Sequence, residues 1–326
     1  MSLTIEFVNA FFLTNPFDIA YPGSGTVIYV AQTGAGSRMS SIDWMTSTVT
    51  PSSDAADAKH IIYDPSPSGP FLWTDEDAGS SDTHVYFSDL AMNLAGSVNT
   101  TQQGNTFGCA FAADNIFTAC PNSNTVNQMD RTGLIAHQPS FGGPPVQTSS
   151  PIVAALGTVW FINSNNPAGT FQFCNLAGVI TQLPATSDAI SGMVFDGANF
   201  WYCDVTNMVL KQISPAGNPL QTVPLGAIPV GLGFDGTYLW VGTIVPETLQ
   251  VVDLAGVIQA NVAAPSAGTP IFVSSGIPGF TFVSYVGGGN LVAQFRIAGP
   301  SPSGAPQTVG TFNGFLATGS IGGGTK

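Results

Sequence analysis

Residues 191–203 read SGMVFDGANFWYC, and residues 230–242 read VGLGFDGTYLWVG. In both stretches an apolar run ends at an Asp-Gly pair, and a second apolar run follows that is centred on Trp201 or Trp240. Short apolar runs joined by turn residues predict β-hairpins rather than helices. The two tryptophans are 39 residues apart, so the chain is expected to repeat a unit of about 40 residues built from short strands.

The tryptophan position continues through the chain as a series of aromatic residues. Successive members are 39 to 44 residues apart, and the series is Tyr29, Trp73, Phe117, Trp160, Trp201, Trp240 and Phe282. Seven units with this period predict an all-β fold, a seven-bladed β-propeller with four antiparallel strands per blade. Each aromatic anchor is expected in the second strand of its blade, where it packs against a neighbouring blade.

The predicted domain organisation is a single propeller over residues 1–312, followed by a C-terminal tail over residues 313–326. The blades are predicted at approximately 14–56, 57–102, 103–146, 147–187, 188–226, 227–266 and 267–312. Two strand-like segments flank the repeats, residues 3–11 before the first unit and residues 307–312 at the end of the last. A propeller closes when one segment supplies the outer strand of the last blade. The N-terminal segment, taken as residues 2–11, and the C-terminal segment are both candidates for that strand.

The repeat explains several of the acidic residues. The third and fourth strands of a unit are joined by a four-residue signal that starts at Asp130, Asn175, Ser214 or Asp253 and ends in glycine. Asp, Asn and Ser open such turns by bonding the backbone, and glycine accepts the positive φ that closes them. A structural role is therefore predicted for these side chains.

Composition limits the possible partners. Only 8% of the residues are charged, and the formal net charge is −13, which argues against nucleic acid and anionic membranes as partners. No apolar stretch approaches the length of a spanning helix, so no membrane insertion is expected. The first residues, MSLTIEFVNAFFL, lack the basic segment of a signal peptide. Synthesis in the cytoplasm or a place in a virion is expected rather than classical secretion, and the final location is left open.

Motifs for catalysis or cofactor binding are absent from the sequence. It has no nucleophile elbow, phosphate loop or HExxH pair, so no catalytic residue and no cofactor is predicted. One acidic run, Asp75, Glu76, Asp77 and Asp82, lies on a predicted loop and offers oxygen ligands suited to Ca²⁺. A solvated loop is the alternative interpretation.

The four cysteines contain no CxxC pair, which argues against a zinc site. Cys109 and Cys120 flank a predicted hairpin turn. The sequence leaves open whether they form a disulfide or are buried thiols, as Cys174 and Cys203 are expected to be.

The pattern apolar-FDG-x-x-apolar-Trp, most regular in the fourth to sixth units, resembles the streptogramin lyase and NHL-type propellers. The resemblance covers roughly residues 18–312 and implies seven blades. For the lyases it further implies a histidine-based acid–base site with a divalent metal, supplied largely by the late blades. The only histidines here are His60, His84 and His137, all in the first three units, so this site is not expected.

The predicted function is therefore non-catalytic: a structural or binding module in a larger assembly, for instance a phage tail or capsid-surface component. Protein partners or self-assembly are expected through the loops and the C-terminal tail. One alternative is a lyase-like or lactonase-like metal-dependent enzyme. Another is an extracellular carbohydrate-binding propeller, for which Trp44, outside the anchor series, is the candidate exposed platform for a glycan.

Overall fold

The computed structural model describes residues 3–34, 36–54, 56–67, 69, 71–76, 84–100, 108–120, 125–140, 152–163, 170–186, 188–265, 268–274, 276–277, 279–287 and 290–298. In these residues the chain forms seven antiparallel sheets of four strands each and no helix. The predicted seven-bladed, all-β propeller is confirmed.

The strands follow the blades in order, from the innermost strand outward, except that β1 (Thr4–Phe12) belongs to the last blade. Blade 1 holds β2 (Pro16–Ala20), β3 (Val27–Gln32), β4 (Met39–Asp43) and β5 (Thr48–Pro51). Blade 2 holds β6 (Ala58–Tyr63), β7 (Leu72–Glu76), β8 (His84–Ser88) and β9 (Leu94–Asn99). Blade 3 holds β10 (Cys109–Ala112), β11 (Asn115–Cys120), β12 (Thr125–Met129) and β13 (Ile135–His137).

Blade 4 holds β14 (Ile152–Ala155), β15 (Thr158–Asn163), β16 (Thr170–Cys174) and β17 (Ile180–Ala185). Blade 5 holds β18 (Ile190–Phe195), β19 (Phe200–Asp204), β20 (Val209–Ile213) and β21 (Pro219–Pro224). Blade 6 holds β22 (Ile228–Phe234), β23 (Tyr238–Ile244), β24 (Thr248–Asp253) and β25 (Ile258–Ala263). Blade 7 holds β26 (Gly268–Val273), β27 (Phe280–Gly287), β28 (Leu291–Ala298) and then β1.

The aromatic anchors form the core between blades. All seven lie in second strands, and none is more than 5% exposed. Trp160 shows the contact they make: its ring lies 4.3 Å from that of Phe200 in the next blade and 4.6 Å from that of Phe173 in its own blade. Because each blade buries apolar surface against its neighbours, the fold extends beyond the size of a single globular core.

The N-terminal strand closes the ring. β1 pairs antiparallel with β28 from Thr4 opposite Ala298 to Phe12 opposite Leu291. Of the two candidate segments, the N-terminal one therefore supplies the outer strand of blade 7. The other candidate, residues 307–312, and the predicted tail, residues 313–326, lie outside the described residues.

The antiparallel order gives the ring two distinct ends. At one end, which we call the turn face, the first strand of a blade turns into the second and the third into the fourth. At the other, the loop face, the second strand connects to the third and each blade connects to the next. The two longest connections, nine residues at 100–108 and fourteen at 138–151, both join strand ends on the loop face.

Candidate binding face

The turn face is fixed by repeated hydrogen bonds. In blade 3, Asp130 Oδ1 accepts from the backbone N–H groups of Thr132 (2.8 Å) and Leu134 (3.0 Å). Bonds from Thr132 accordingly hold the pKa of Asp130 below its usual value. Asn175 and Asp253 hold their turns in the same way in blades 4 and 6. These side chains are occupied by the backbone, as the sequence predicted, and are not available for chemistry.

The Asp of the FDG pattern has a double role. Asp196 Oδ1 accepts from the N–H groups of residues 198 and 199, at 2.8 and 2.7 Å, while its Oδ2 accepts from the indole N–H of Trp201 at 2.8 Å. Asp235 and Trp240 repeat the arrangement in blade 6. The two residues of each turn are therefore the glycine and the residue after it, 197–198 and 236–237, and the Asp comes just before them. The glycine takes the first central position, with a φ of 99° in blade 5 and 95° in blade 6. The hydrogen bond from the Trp indole to the Asp carboxylate was not apparent from the sequence, although Asp and Trp are five residues apart in both blades.

Positive charge is neutralised within the fold. Basic residues pair with carboxylates: Arg38 with Asp54 (2.9 Å), Arg131 with Asp64 (2.7 Å), Lys211 with Asp188 (2.7 Å) and Arg296 with Glu6 (2.7 Å). Arg38 is fully buried and also donates to Thr74 and Ser88 of blade 2, so it joins the first two blades. This distribution offers no cluster of free cations to a polyanion in the described part of the chain.

A buried ionisable cluster lies where the innermost strands of blades 1 and 2 meet. Asp18 in β2 accepts from the N–H of Ile61 in β6 at 3.0 Å, and its Oδ2 lies 3.8 Å from Nδ1 of His60. Burial raises the pKa of Asp18 to about 6, although its hydrogen bonds and His60 oppose the shift. Burial by itself lowers the pKa of His60, but the Asp75 and Asp18 carboxylates outweigh it and raise the pKa.

The Ca²⁺ hypothesis loses one of its ligands. Asp75 and Glu76 do not lie on a loop, because β7 extends to Glu76. Asp75 is fully buried and accepts from the backbone N–H of His60 at 2.7 Å. Asp77 and Asp82 lie outside the described residues. Within the part that is described, no three His, Cys, Asp or Glu residues are grouped in a way that suits a metal ion.

The three histidines occupy different layers of the ring. His60 lies in the innermost strand of blade 2, His84 in the third strand of that blade, and His137 in the outer strand of blade 3. The imidazole ring of His137 packs against Gly178 of blade 4. The structure therefore does not bring the histidines together into an acid–base site.

Trp44 is not an open platform. It follows β4 in a turn, is half-buried, and has its ring 5.2 Å from Phe282 and 5.8 Å from Tyr21. Phe282 is the anchor of blade 7, so Trp44 packs at the seam where the ring closes. These contacts leave the Trp44 side chain only partly exposed.

The thiols are structural. Cys109, Cys174 and Cys203 are buried thiols that form no disulfide, and burial raises the pKa of Cys174 to about 11. Cys109 lies opposite Thr118, and Cys120 lies opposite Thr125. The disulfide between Cys109 and Cys120 is therefore absent; nothing is described of the Cys120 side chain.

The loop face differs from the turn face in the length and composition of its connections, whereas large apolar side chains are exposed on both faces. Val245, between β23 and β24, is 75% exposed, and Met208, between β19 and β20, is 43% exposed. On this face the connections 100–108, 121–124, 138–151 and 164–169, which join strand ends of blades 2 to 4, contain no charged residue and are rich in Ser, Thr, Asn and Gln, whereas the connection 77–83 of blade 2 carries two aspartates. Uncharged polar loops with scattered apolar residues are the usual chemistry of protein-binding surfaces.

No protein-family model matches this sequence, and no curated protein matches it. Solved structures do match the fold. Virginiamycin B lyase from Staphylococcus aureus has a TM-score of 0.72 at 14% identity, over 91% of this chain and 100% of that chain. A catalytically inactive variant of that lyase, solved with Quinupristin, has a TM-score of 0.74 at 14% identity, over 91% and 100%.

The WD40 β-propeller domain of Doa1 is comparably similar, with a TM-score of 0.71 at 11% identity, over 90% of this chain and 97% of that chain. At such low identities the likeness shows the fold alone. The chain is a seven-bladed propeller that resembles the streptogramin lyases in architecture. Since an enzyme and a WD40 domain share this architecture equally well, the fold does not decide the activity.

Proposed function

We propose that this chain is a non-catalytic binding module that presents its loop face to a protein partner in a larger assembly. The observation that carries the proposal is the contrast between the two faces. Short hydrogen-bonded turns make up most of the turn face, whose longest connection has eight residues (64–71), whereas the loop face carries the two longest connections, and these are uncharged and polar. Binding residues are typically held on loops by a rigid scaffold.

The charge distribution and the side-chain chemistry agree with this proposal. The basic side chains are paired internally, so the partner is a protein surface that does not depend on fixed cations. The histidines are dispersed over three layers, which supports a non-catalytic role over the lyase-like or lactonase-like alternative. The carbohydrate alternative receives less support, because Trp44 is half-buried and packs against Phe282.

In its finer form, the proposal places the module in a phage virion as a tail or capsid-surface component, with self-assembly through the loops and the C-terminal tail. The low charged fraction of 8% and the 38 glycines support it. The genes on either side test this form directly: structural phage genes are expected there, and a metabolic operon would contradict it.

A site-specific crosslinking experiment tests the binding face. A photoreactive phenylalanine analogue replaces Val245 on the loop face or, as a matched control, Leu156 on the turn face, which is 56% exposed. On irradiation in the producing cells, we expect the Val245 position to give a defined crosslinked protein and the Leu156 position to give none. Crosslinks from Leu156 alone would contradict the assignment of the face.

A turnover assay tests the non-catalytic part. Purified protein with Mg²⁺ is incubated with quinupristin, the ligand in the solved lyase structure, and intact antibiotic is followed by mass spectrometry. We expect no loss above the protein-free control. Turnover that a chelator abolishes would establish the lyase-like alternative.

A further inference from the structure

The outer strand of the closing blade differs from the other outer strands. β1 has nine residues, whereas the outer strands of blades 1 to 6 have three to six. Three of those shorter strands, β5, β17 and β21, contain proline, which discourages pairing at an edge, and β1 contains none.

The free edge of β1 is also apolar. Phe7 is 47% exposed, Val8 42% and Phe12 75%. β1 is the terminal strand of its sheet, with β28 on one side and no described strand on the other. A long apolar edge of this kind is a ready template for another strand.

The sequence holds a second strand-like segment shortly after β28. β28 ends at Ala298, which lies opposite Thr4 at the start of β1. Residues 299–306, GPSPSGAP, are followed by residues 307–312, QTVGTF, the segment with strand character that did not become the outer strand of blade 7. The eight residues of the linker reach at most about 27 Å, and crossing β1 to its far edge needs only about 10 Å.

We propose that residues 307–312 add to the free edge of β1 in the same molecule, as a fifth strand of blade 7. The chain leaves β28 at the Thr4 end of β1, so the added strand runs parallel to β1 towards Phe12. Its backbone pairs with the open edge of β1, and Val309 can extend the apolar surface that Phe7 and Phe12 begin on one face of the sheet. Because β1 leads into blade 1 on the loop face, residues 313–326 are then delivered to that face.

Hydrogen–deuterium exchange of the β1 peptides tests the pairing. Three proteins are compared: the full chain, a chain ending at Phe312 and a chain ending at Pro306. We expect β1 to exchange about 10-fold faster in the last than in the first two, because only that chain lacks residues 307–312. Peptides of β25, the outer strand of blade 6, serve as the internal control and should be unchanged.

A substitution pair in the full chain separates strand pairing from mere truncation. Val309→Pro removes a backbone N–H from the middle of the added strand and should reproduce the fast exchange of β1. Ala305→Pro, in a linker that already holds three prolines, should leave it slow. Equal exchange of β1 in all these proteins overturns the proposal. So does protection of β1 that disappears on dilution together with a dimer in light scattering, because the strand then comes from a second copy.

Discussion

At the scale of single residues, the pair of Asp18 and His60 is the most consequential charge arrangement in the interior. Both side chains are fully buried, and neither ring nitrogen of His60 has a hydrogen-bond partner. Asp18 nevertheless bonds the backbone of the next blade at Ile61. The seam between blades 1 and 2 therefore depends on a carboxyl group whose protonation is altered by folding.

This gives a pH prediction for Asp18→Asn. The pKa of Asp18 is about 6 in the folded chain and 3.8 ordinarily, so between these values the folded state binds more protons. The free energy of unfolding contributed by this group is complete below about pH 4 and falls as the pH rises to about 6, by up to about 3 kcal/mol. Asn does not titrate, so the variant should gain stability relative to the parent by that amount across the window.

Urea unfolding at pH 4, 5 and 6 measures the difference. In the parent, Asp75 and Asp18 together raise the pKa of His60, so Asp18→Asn also removes part of that shift. Asp114→Asn, at an exposed carboxylate that pairs with Arg131 at 2.9 Å, is a control for the loss of one acidic charge together with a surface ion pair. Parallel stability curves for the parent and Asp18→Asn would show that the carboxyl group does not titrate as proposed.

The positions of the anchors could be predicted from sequence because a large aromatic side chain recurs wherever two blades must pack. The hydrogen bond between Asp196 and Trp201 could not be predicted from the sequence. Trp73 and Trp160 hold equivalent positions, and in the described part of the chain their indole N–H groups have no hydrogen-bond partner. The burial of Asp75 could not be predicted either. The acidic run resembles a solvated loop, and only the length of β7 shows that its first member faces the interior.

At the scale of elements, the innermost strands are limited by the space near the axis. Gly233 in β22 faces the end of β26, the innermost strand of blade 7. A Cβ at this position would collide with the carbonyl oxygen of Ser274 and lie 2.9 Å from Cγ1 of Val273. Thr281 also donates to that carbonyl, so it is held in place. Glycine is needed at this position because two backbones approach closely.

We therefore expect Gly233→Ala to destabilise the protein by about 1–3 kcal/mol, the usual range for overpacking. Gly192→Ala is the matched control. It lies in the equivalent strand of blade 5, and its nearest neighbour would be the Cβ of Leu232 at 3.1 Å, which demands a smaller adjustment. Chemical denaturation of both variants checks the order of the two effects. A larger loss for Gly192→Ala would mean that the closeness of the backbones at Gly233 is not the limiting contact.

Turns between third and fourth strands link the elements into a ring. Gly133, Gly178 and Gly217 each lie against the outer strand of the preceding blade, at Val98, His137 and Leu183 respectively. The sequence predicted the turn type from the spacing of Asp, Asn or Ser and Gly. It did not predict this contact, because the partner belongs to a different repeat and differs in chemistry from blade to blade.

At the scale of the whole molecule, closure joins the two ends of the described chain. Three strands of blade 7 come from residues 268–298 and the fourth is β1. The sequence offered two closing segments of similar strand character and gave no physical reason to choose between them. In the structure the N-terminal segment supplies the outer strand, because β1 pairs with β28. Its Ile5 and Phe11 are buried against blade 7 and the neighbouring blades.

Because β1 closes the ring, we expect residues 313–326 to act between molecules rather than in closure. These residues offer only Phe315, Leu316 and Ile321 as large apolar side chains and include three consecutive glycines at 322–324. Ordering a residue requires about 1–2 kcal/mol of backbone entropy, and packing one face of so small a set against the parent molecule offsets little of it. A groove between two molecules can bury both faces of the segment and supply backbone hydrogen bonds at a strand edge.

A chain ending at Phe312 should thus lose self-association in size-exclusion chromatography while its monomer keeps the parent melting temperature. A chain lacking residues 1–12 provides the contrast, since loss of the closing strand should lower that temperature sharply. If the chain ending at Phe312 instead melts early with an unchanged oligomeric state, the segment belongs to the closing blade and not to an interface.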